Sequence, residues 1–230
     1  MNKSIIFLLD VSAAMLSNGK GEALFHIMKK LDSVFQRVQP PEEMNLTIRI
    51  LAFGDDAITW VYGNQDSGVP FRDFRWDDAK AKMPNFKGLT PLGKAVAEIV
   101  ETLYYNDVAA DPNQAAPIII LISEGCPTDN YQEEFQKALN KKADDESQGL
   151  FRRSLRVSIG LGLSHSQADE IERNLLKSFG CLSRSLRERG LKSYYDIADG
   201  DDIECLIAEL IDIYGDIGFL QKPIIGEEGD

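Results

Sequence analysis

The sequence predicts an α/β protein: a doubly wound, mainly parallel six-stranded sheet with one antiparallel edge strand and helices on both faces. Short apolar runs alternate along the chain with segments of helical periodicity, the pattern of successive β-α units. The first of these runs is continuously apolar rather than alternating, as expected when both faces of a strand are buried. One pair of runs is separated only by Asp55-Asp56, a turn that makes a single hairpin and hence one antiparallel strand.

The elements follow in order. Residues 5–9 (IIFLL) form the first strand. Residues 19–38 carry Leu24, Ile27, Met28, Leu31, Val34, Phe35 and Val38 at helical spacing, and Pro40-Pro41 stops the helix. Residues 46–53 and 57–62 are the two strands of the hairpin. The segment 63–89 breaks the pattern with Gly, Pro, Asp and scattered aromatics; a connection this long is functional or carries a short helix of its own. Its aromatics, with Trp60 and Tyr62 beside it, either pin it to the body, the default, or form a partner-binding patch. Thr90-Pro91 opens a helix to about residue 105, with proline in the first turn where its missing N–H is harmless. PIIILIS, residues 117–123, is the most apolar run and belongs at the sheet centre. A helix over 131–143, a strand over 155–161, a helix over 167–179, a short strand over 193–197 and a helix over 201–215 complete the pattern. Residues 1–220 read as one domain and 221–230 as an acidic flexible tail.

The 230 residues carry a formal net charge of −12, with 43% hydrophobic and 27% charged residues. That composition excludes wholesale disorder. So acidic a surface repels phosphate backbones and anionic lipid, so neither nucleic acid nor membrane is an expected partner; basic surfaces and divalent cations are. Cys126, Cys181 and Cys205 make no metal or disulfide pattern, which fits a reducing cytosol. No signal peptide or membrane-length apolar run is visible, and the expected location is cytoplasmic.

In sheets of this kind ligands bind beyond the carboxyl ends of the strands. The first strand delivers Asp10 and Ser12 there, the central strand delivers Ser123 and Glu124 followed by Gly125-Cys126-Pro127-Thr128-Asp129, and Lys87-Gly88-Leu89-Thr90-Pro91 sets the Thr90 hydroxyl at a helix start. Three separate loops thus bring only oxygen donors, a set that suits Mg²⁺ and other hard cations such as Mn²⁺ or Ca²⁺. Asp10, Ser12, Thr90 and Glu124 are the candidate metal ligands. Plainer roles stand beside this one. Asp10 would also cap its turn, and Ser12 and Thr90 would serve as turn and helix-cap hydroxyls. Asp129 is expected to cap the helix beginning near Tyr131. Cys126 is expected to be buried or half-buried, His26 and His165 to be surface residues, and Arg152, Arg153 and Arg156 to be solvated.

Asp-x-Ser at the first strand end, G-L-T-P-L-G before a helix and I-S-E-G-C-P-T-D after the central strand together resemble a von Willebrand factor type A domain. The pattern is most similar to the bacterial intracellular, TerY-like (tellurite-resistance) branch, over roughly residues 3–215. The resemblance implies the doubly wound fold above and a metal-ion-dependent adhesion site. In that site the first Asp, first Ser and Thr match Asp10, Ser12 and Thr90. Two positions depart from the family pattern: Ala14 stands where a second Ser would be, and Glu124 where an Asp would be. Ala14 removes one preorganised ligand, so a weakened affinity follows. Glu124, one methylene longer, either reaches the ion directly or fills the site without one, accepting hydrogen bonds from Ser12 and Thr90.

The resemblance also implies a non-catalytic adaptor or scaffold whose metal is completed by an acidic side chain of a protein partner. Members of the branch are encoded beside a protein kinase and a PP2C-like phosphatase, in systems of chemical stress or phage defence. Two alternatives are carried: a metal-independent module with a vestigial site that binds through segment 63–89, and a cation-dependent enzyme. Against the last, no second Asp follows Asp10 by two residues, and neither a nucleophile elbow nor a phosphate-binding loop occurs.

Overall fold

The computed structural model describes residues 2–37, 45–55, 57–107, 116–142, 149–163 and 169–196. Strand β1 (Asn2–Asp10) is paired on one side with β2 (Asn45–Gly54) and on the other with β5 (Ile118–Ser123), parallel in both cases. β3 (Ala57–Tyr62) runs antiparallel to β2. β6 (Leu155–Gly160) and β7 (Tyr194–Asp196) extend the sheet beyond β5 in parallel, giving the order β3-β2-β1-β5-β6-β7. The six expected strands are present, and the central pair is β1 and β5. A seventh, two-residue strand β4 (Val69–Pro70) continues the β3 side of β2 in antiparallel pairing. Its brevity and its proline hid it from a reading by periodicity.

The pleat sorts β1 between two apolar layers. Ile5, Phe7 and Leu9 pack with α1 (Lys20–Phe35), which supplies Leu24, Ile27, Met28, Leu31 and Phe35. Ile6 and Leu8 pack with α3 (Leu92–Asp107), α4 (Tyr131–Asn140), α5 (Leu150–Arg153) and α6 (Glu170–Phe179). A continuously apolar strand has therefore become the middle of an α/β/α sandwich. The remaining short helices are α2 (Trp76–Lys80) and α7 (Arg184–Glu188), and a 3-10 segment spans Ala13–Gly19.

Segment 63–89 is pinned to the body. Phe71, Phe74 and Trp76 are buried; Phe71 and Phe74 lie 4.7 and 5.5 Å from Phe35, and Trp76 lies 5.8 Å from Phe25, between ring centroids. The Trp76 amide donates to Asp32 on α1 at 2.9 Å. These three rings are unavailable as a partner patch.

One surface expectation is corrected. Arg152 and Arg153 are exposed, but Arg156 is buried. Its guanidinium donates to the carbonyls of Phe179 (3.0 Å) and Phe151 (2.5 Å) and lies over the Phe151 ring. Backbone acceptors and an aromatic face together let a cation sit inside the core. The expected helix over 201–215, the tail over 221–230, Pro40-Pro41, His165 and Cys205 lie outside the described residues.

Candidate metal centre

The chain order reverses between β1 and β5, so their carboxyl ends flank the switch point where ligands of such sheets bind. Register brings two polar residues face to face there. Leu8 pairs with Leu121, and two residues further on Asp10 and Ser123 point to that same face. The Ser123 hydroxyl donates to Asp10 Oδ2 at 2.7 Å, and the Ser12 amide donates to Asp10 Oδ1 at 2.9 Å. Burial raises the Asp10 carboxyl above the ordinary carboxylate range. The Ser123 and Ser12 hydrogen bonds oppose that rise, and the nearby charge of Glu124 adds to it.

The loop 87–91 is stitched to both neighbours through its backbone. The Ala13 amide donates to the Gly88 carbonyl (3.1 Å), and the Lys87 amide to the Val11 carbonyl (3.0 Å). Thr90 exchanges two bonds with Thr128: the Thr90 amide donates to Thr128 Oγ1, and the Thr128 amide to the Thr90 carbonyl, both at 3.0 Å. Gly88 has a φ of +64° and touches Asp55; a Cβ there would fall 2.1 Å from Asp55 Oδ1. Only glycine meets both demands.

Asp129 does a different job from the one expected. Its carboxylate accepts from the amides of Gly93 and Lys94, each at 2.9 Å, so it caps α3 from across the site. The helix that starts at Tyr131 has no side-chain cap. The first-turn amides of α3 are unpaired within that helix and face the loop after β5, which brings Asp129 to them.

All four candidate ligands are buried, and backbone hydrogen bonds tie the loops that carry them to one another. Their surroundings split into two halves. Ser12 Oγ is buried with no hydrogen-bond partner; it lies near enough to Asp10 to help hold its charge, but outside bonding geometry. A buried orphan hydroxyl beside a carboxylate fits a metal ligand. Glu124 accepts no bond from Ser12 or Thr90. Instead Lys20, at the start of α1, donates from Nζ to Glu124 Oε2 at 2.5 Å, with side chains only 11% and 9% exposed. The donor set therefore fits a hard divalent cation, with one internal cation already on its longest arm.

Lys20 was absent from the sequence-derived site, and Ser123 and Thr128 were placed at this edge without being taken as ligands. Ser123 had a signal: it stands beside Glu124 at the same strand end. Lys20 had none, since only folding brings it to a residue 104 positions away. Cys126 is exposed rather than buried. Partial desolvation, followed by the charges of Glu124, Glu172 and Asp10, pushes its thiol up, against a reactive thiolate. His26 is exposed, as expected.

No family profile and no curated protein matches this sequence. Solved structures do. Proximal thread matrix protein 1 of the mussel byssus, with a zinc-occupied metal-ion-dependent adhesion site, matches with a TM-score of 0.61 at 13% identity, over 94% of this chain and 48% of that one. A von Willebrand factor type A protein from Catenulispora acidiphila gives 0.54 at 13% identity, over 91% and 42%. Manganese-loaded TRAP from Plasmodium vivax gives 0.56 at 18% identity, over 91% and 73%. The fold is that of a von Willebrand factor type A domain. The chain spans about half the length of the mussel protein. At these identities the likeness establishes the type A fold and leaves the TerY-like branch as a resemblance of motifs. No helix among the described residues is long and apolar enough to cross a membrane.

Proposed function

We propose that this type A fold is a non-catalytic protein-binding module, an adaptor that engages its partner at the carboxyl ends of β1 and β5. Asp10, Ser12, Thr90 and Glu124 hold a divalent cation there. The reading is supported by three loops, tied together by backbone hydrogen bonds, that carry buried oxygen donors, among them the orphaned Ser12 hydroxyl. When bound, the ion supplies a Lewis-acidic position for an acidic side chain of the partner. Asp10 is oriented for that role by Ser12 and Ser123, and Thr90 by Thr128. The zinc and manganese in two structural neighbours support a divalent ion.

The surface around the site suits protein contact. Leu16 and Leu89, on the loops that carry Ser12 and Thr90, are 66% and 52% exposed, beside a polar centre. On the motif resemblance, the partner classes are a protein kinase or a PP2C-like phosphatase in a bacterial stress-response system. Segment 63–89 is not favoured as the binding element, because Phe71, Phe74 and Trp76 are buried in the core and Phe86 is half-buried against it.

The test is thermal. An ion at ten times its dissociation constant stabilises the fold by about 1.4 kcal/mol, which for a domain of this size is a rise of roughly 3–6 °C in Tm. Millimolar Mn²⁺ is expected to produce that rise in the native chain and none in the Ser12→Ala/Thr90→Ala double variant. A rise that persists in the double variant rejects this site.

A further inference from the structure

We infer that Lys20 is a built-in occupant of the cation position: its ammonium neutralises Glu124 in place of a divalent ion, and an ion enters fully only by displacing it. The inference rests on the metal reading of Asp10, Ser12, Thr90 and Glu124, and adds the element that regulates it.

Three independent features place Lys20 here. The ammonium lies 2.5 Å from Glu124 Oε2, and both side chains are nearly buried. The stem has a fitted bed. Gly162, in the loop after β6, has φ +65°, and a Cβ there would lie 3.0 Å from Lys20 Cε and 3.2 Å from Cγ. The lysine therefore crosses bare backbone on its way to Glu124. Finally, Lys20 is the first residue of a sixteen-residue helix, the end at which the peptide dipoles disfavour a positive charge. Local helix chemistry does not explain a lysine at this position; Glu124 does.

The substitution is partial. The ammonium answers Glu124, yet Ser12 Oγ stays without a partner, so the tethered cation does not satisfy the whole donor set. A monovalent head on a flexible four-carbon stem is also a weaker occupant than a divalent ion coordinated by several oxygens. The Lys20 ammonium and a divalent cation thus compete for the same Glu124 carboxylate.

Lys20→Met tests this, because it keeps the stem over Gly162 and removes the charge. Glu124 and Asp10 are then left in a buried site without a cation. In chelator the variant is expected to melt below the native chain. Calorimetric titration is expected to give a Mn²⁺ dissociation constant at least ten-fold lower than native, and Asp10→Asn added to Lys20→Met is expected to erase the gain. Mn²⁺ is the probe because Zn²⁺ would also seek the exposed Cys126 thiol. Should Lys20→Met not fold, Lys20→Gln provides the same comparison, with a side chain that is polar but carries no charge.

Equal Mn²⁺ affinities in the native chain and the Lys20 variant overturn the role of Lys20 and leave the metal site standing. Absence of binding in both folded proteins overturns the two together. A gain that survives Asp10→Asn puts the ion elsewhere and also overturns the proposal.

Discussion

Asp129→Ala isolates the device that holds the loop after β5 against the start of α3. Native Asp129 accepts two amide hydrogen bonds, from Gly93 and Lys94, at 2.9 Å each. A lost helix cap costs typically ~1 kcal/mol and up to ~2. Two charge-assisted bonds to one carboxylate place this cap at the upper end, so we expect about 2 kcal/mol. For a domain of this length that is a fall of roughly 4–8 °C in Tm. Urea denaturation followed by circular dichroism measures the first quantity, and calorimetry the second. Amide exchange supplies the location: Gly93 and Lys94 should lose protection, while the first turn of α4 should not. Asp129→Asn, which keeps an acceptor but loses the charge, should fall between the two. Unchanged stability in Asp129→Ala, or exchange that quickens at Tyr131–Glu133 instead, would refute the cap across the site.

The raised Asp10 carboxyl has a definite sign in pH. Its folded pKa lies above the unfolded one, so the folded state binds the proton more tightly. The contribution of Asp10 to stability is fully present below its unfolded pKa and is lost as pH rises through the folded one. Metal-free Asp10→Asn should lack this contribution to the pH profile and match or exceed native stability at pH values above the folded pKa, while losing the Mn²⁺ response; a strongly destabilised variant there would contradict the burial argument. Phe74→Ala should cost about 3–5 kcal/mol, because Phe74 is fully buried between Phe35 and Tyr62. A cost below 1 kcal/mol in urea denaturation would mean that segment 63–89 is not anchored there.

The strand-helix alternation, the hairpin at Asp55 and the central position of β5 were legible in the sequence, because burial on two faces writes itself into continuous apolar runs. The same holds for the convergence of the loops carrying Asp10, Ser12, Thr90 and Glu124, since strand ends at a switch point are fixed by topology. β4 was not legible, because two residues have no period. Arg156 defeated the reading by sequence because a charge is assumed solvated until backbone acceptors and rings are found around it.

What the chain by itself determined is its layering and the inventory of hard oxygen donors at one edge of the sheet. Which partner each of those donors takes was decided only in three dimensions. Asp129 caps a helix that begins 37 positions before it (129 − 92), and Lys20 reaches Glu124 across 104 positions. Periodicity records whether a residue faces the core, which is a property of its neighbours along the chain. A hydrogen bond or an ion pair depends on ångström distances between loops, and those are fixed only when the layers close around the sheet.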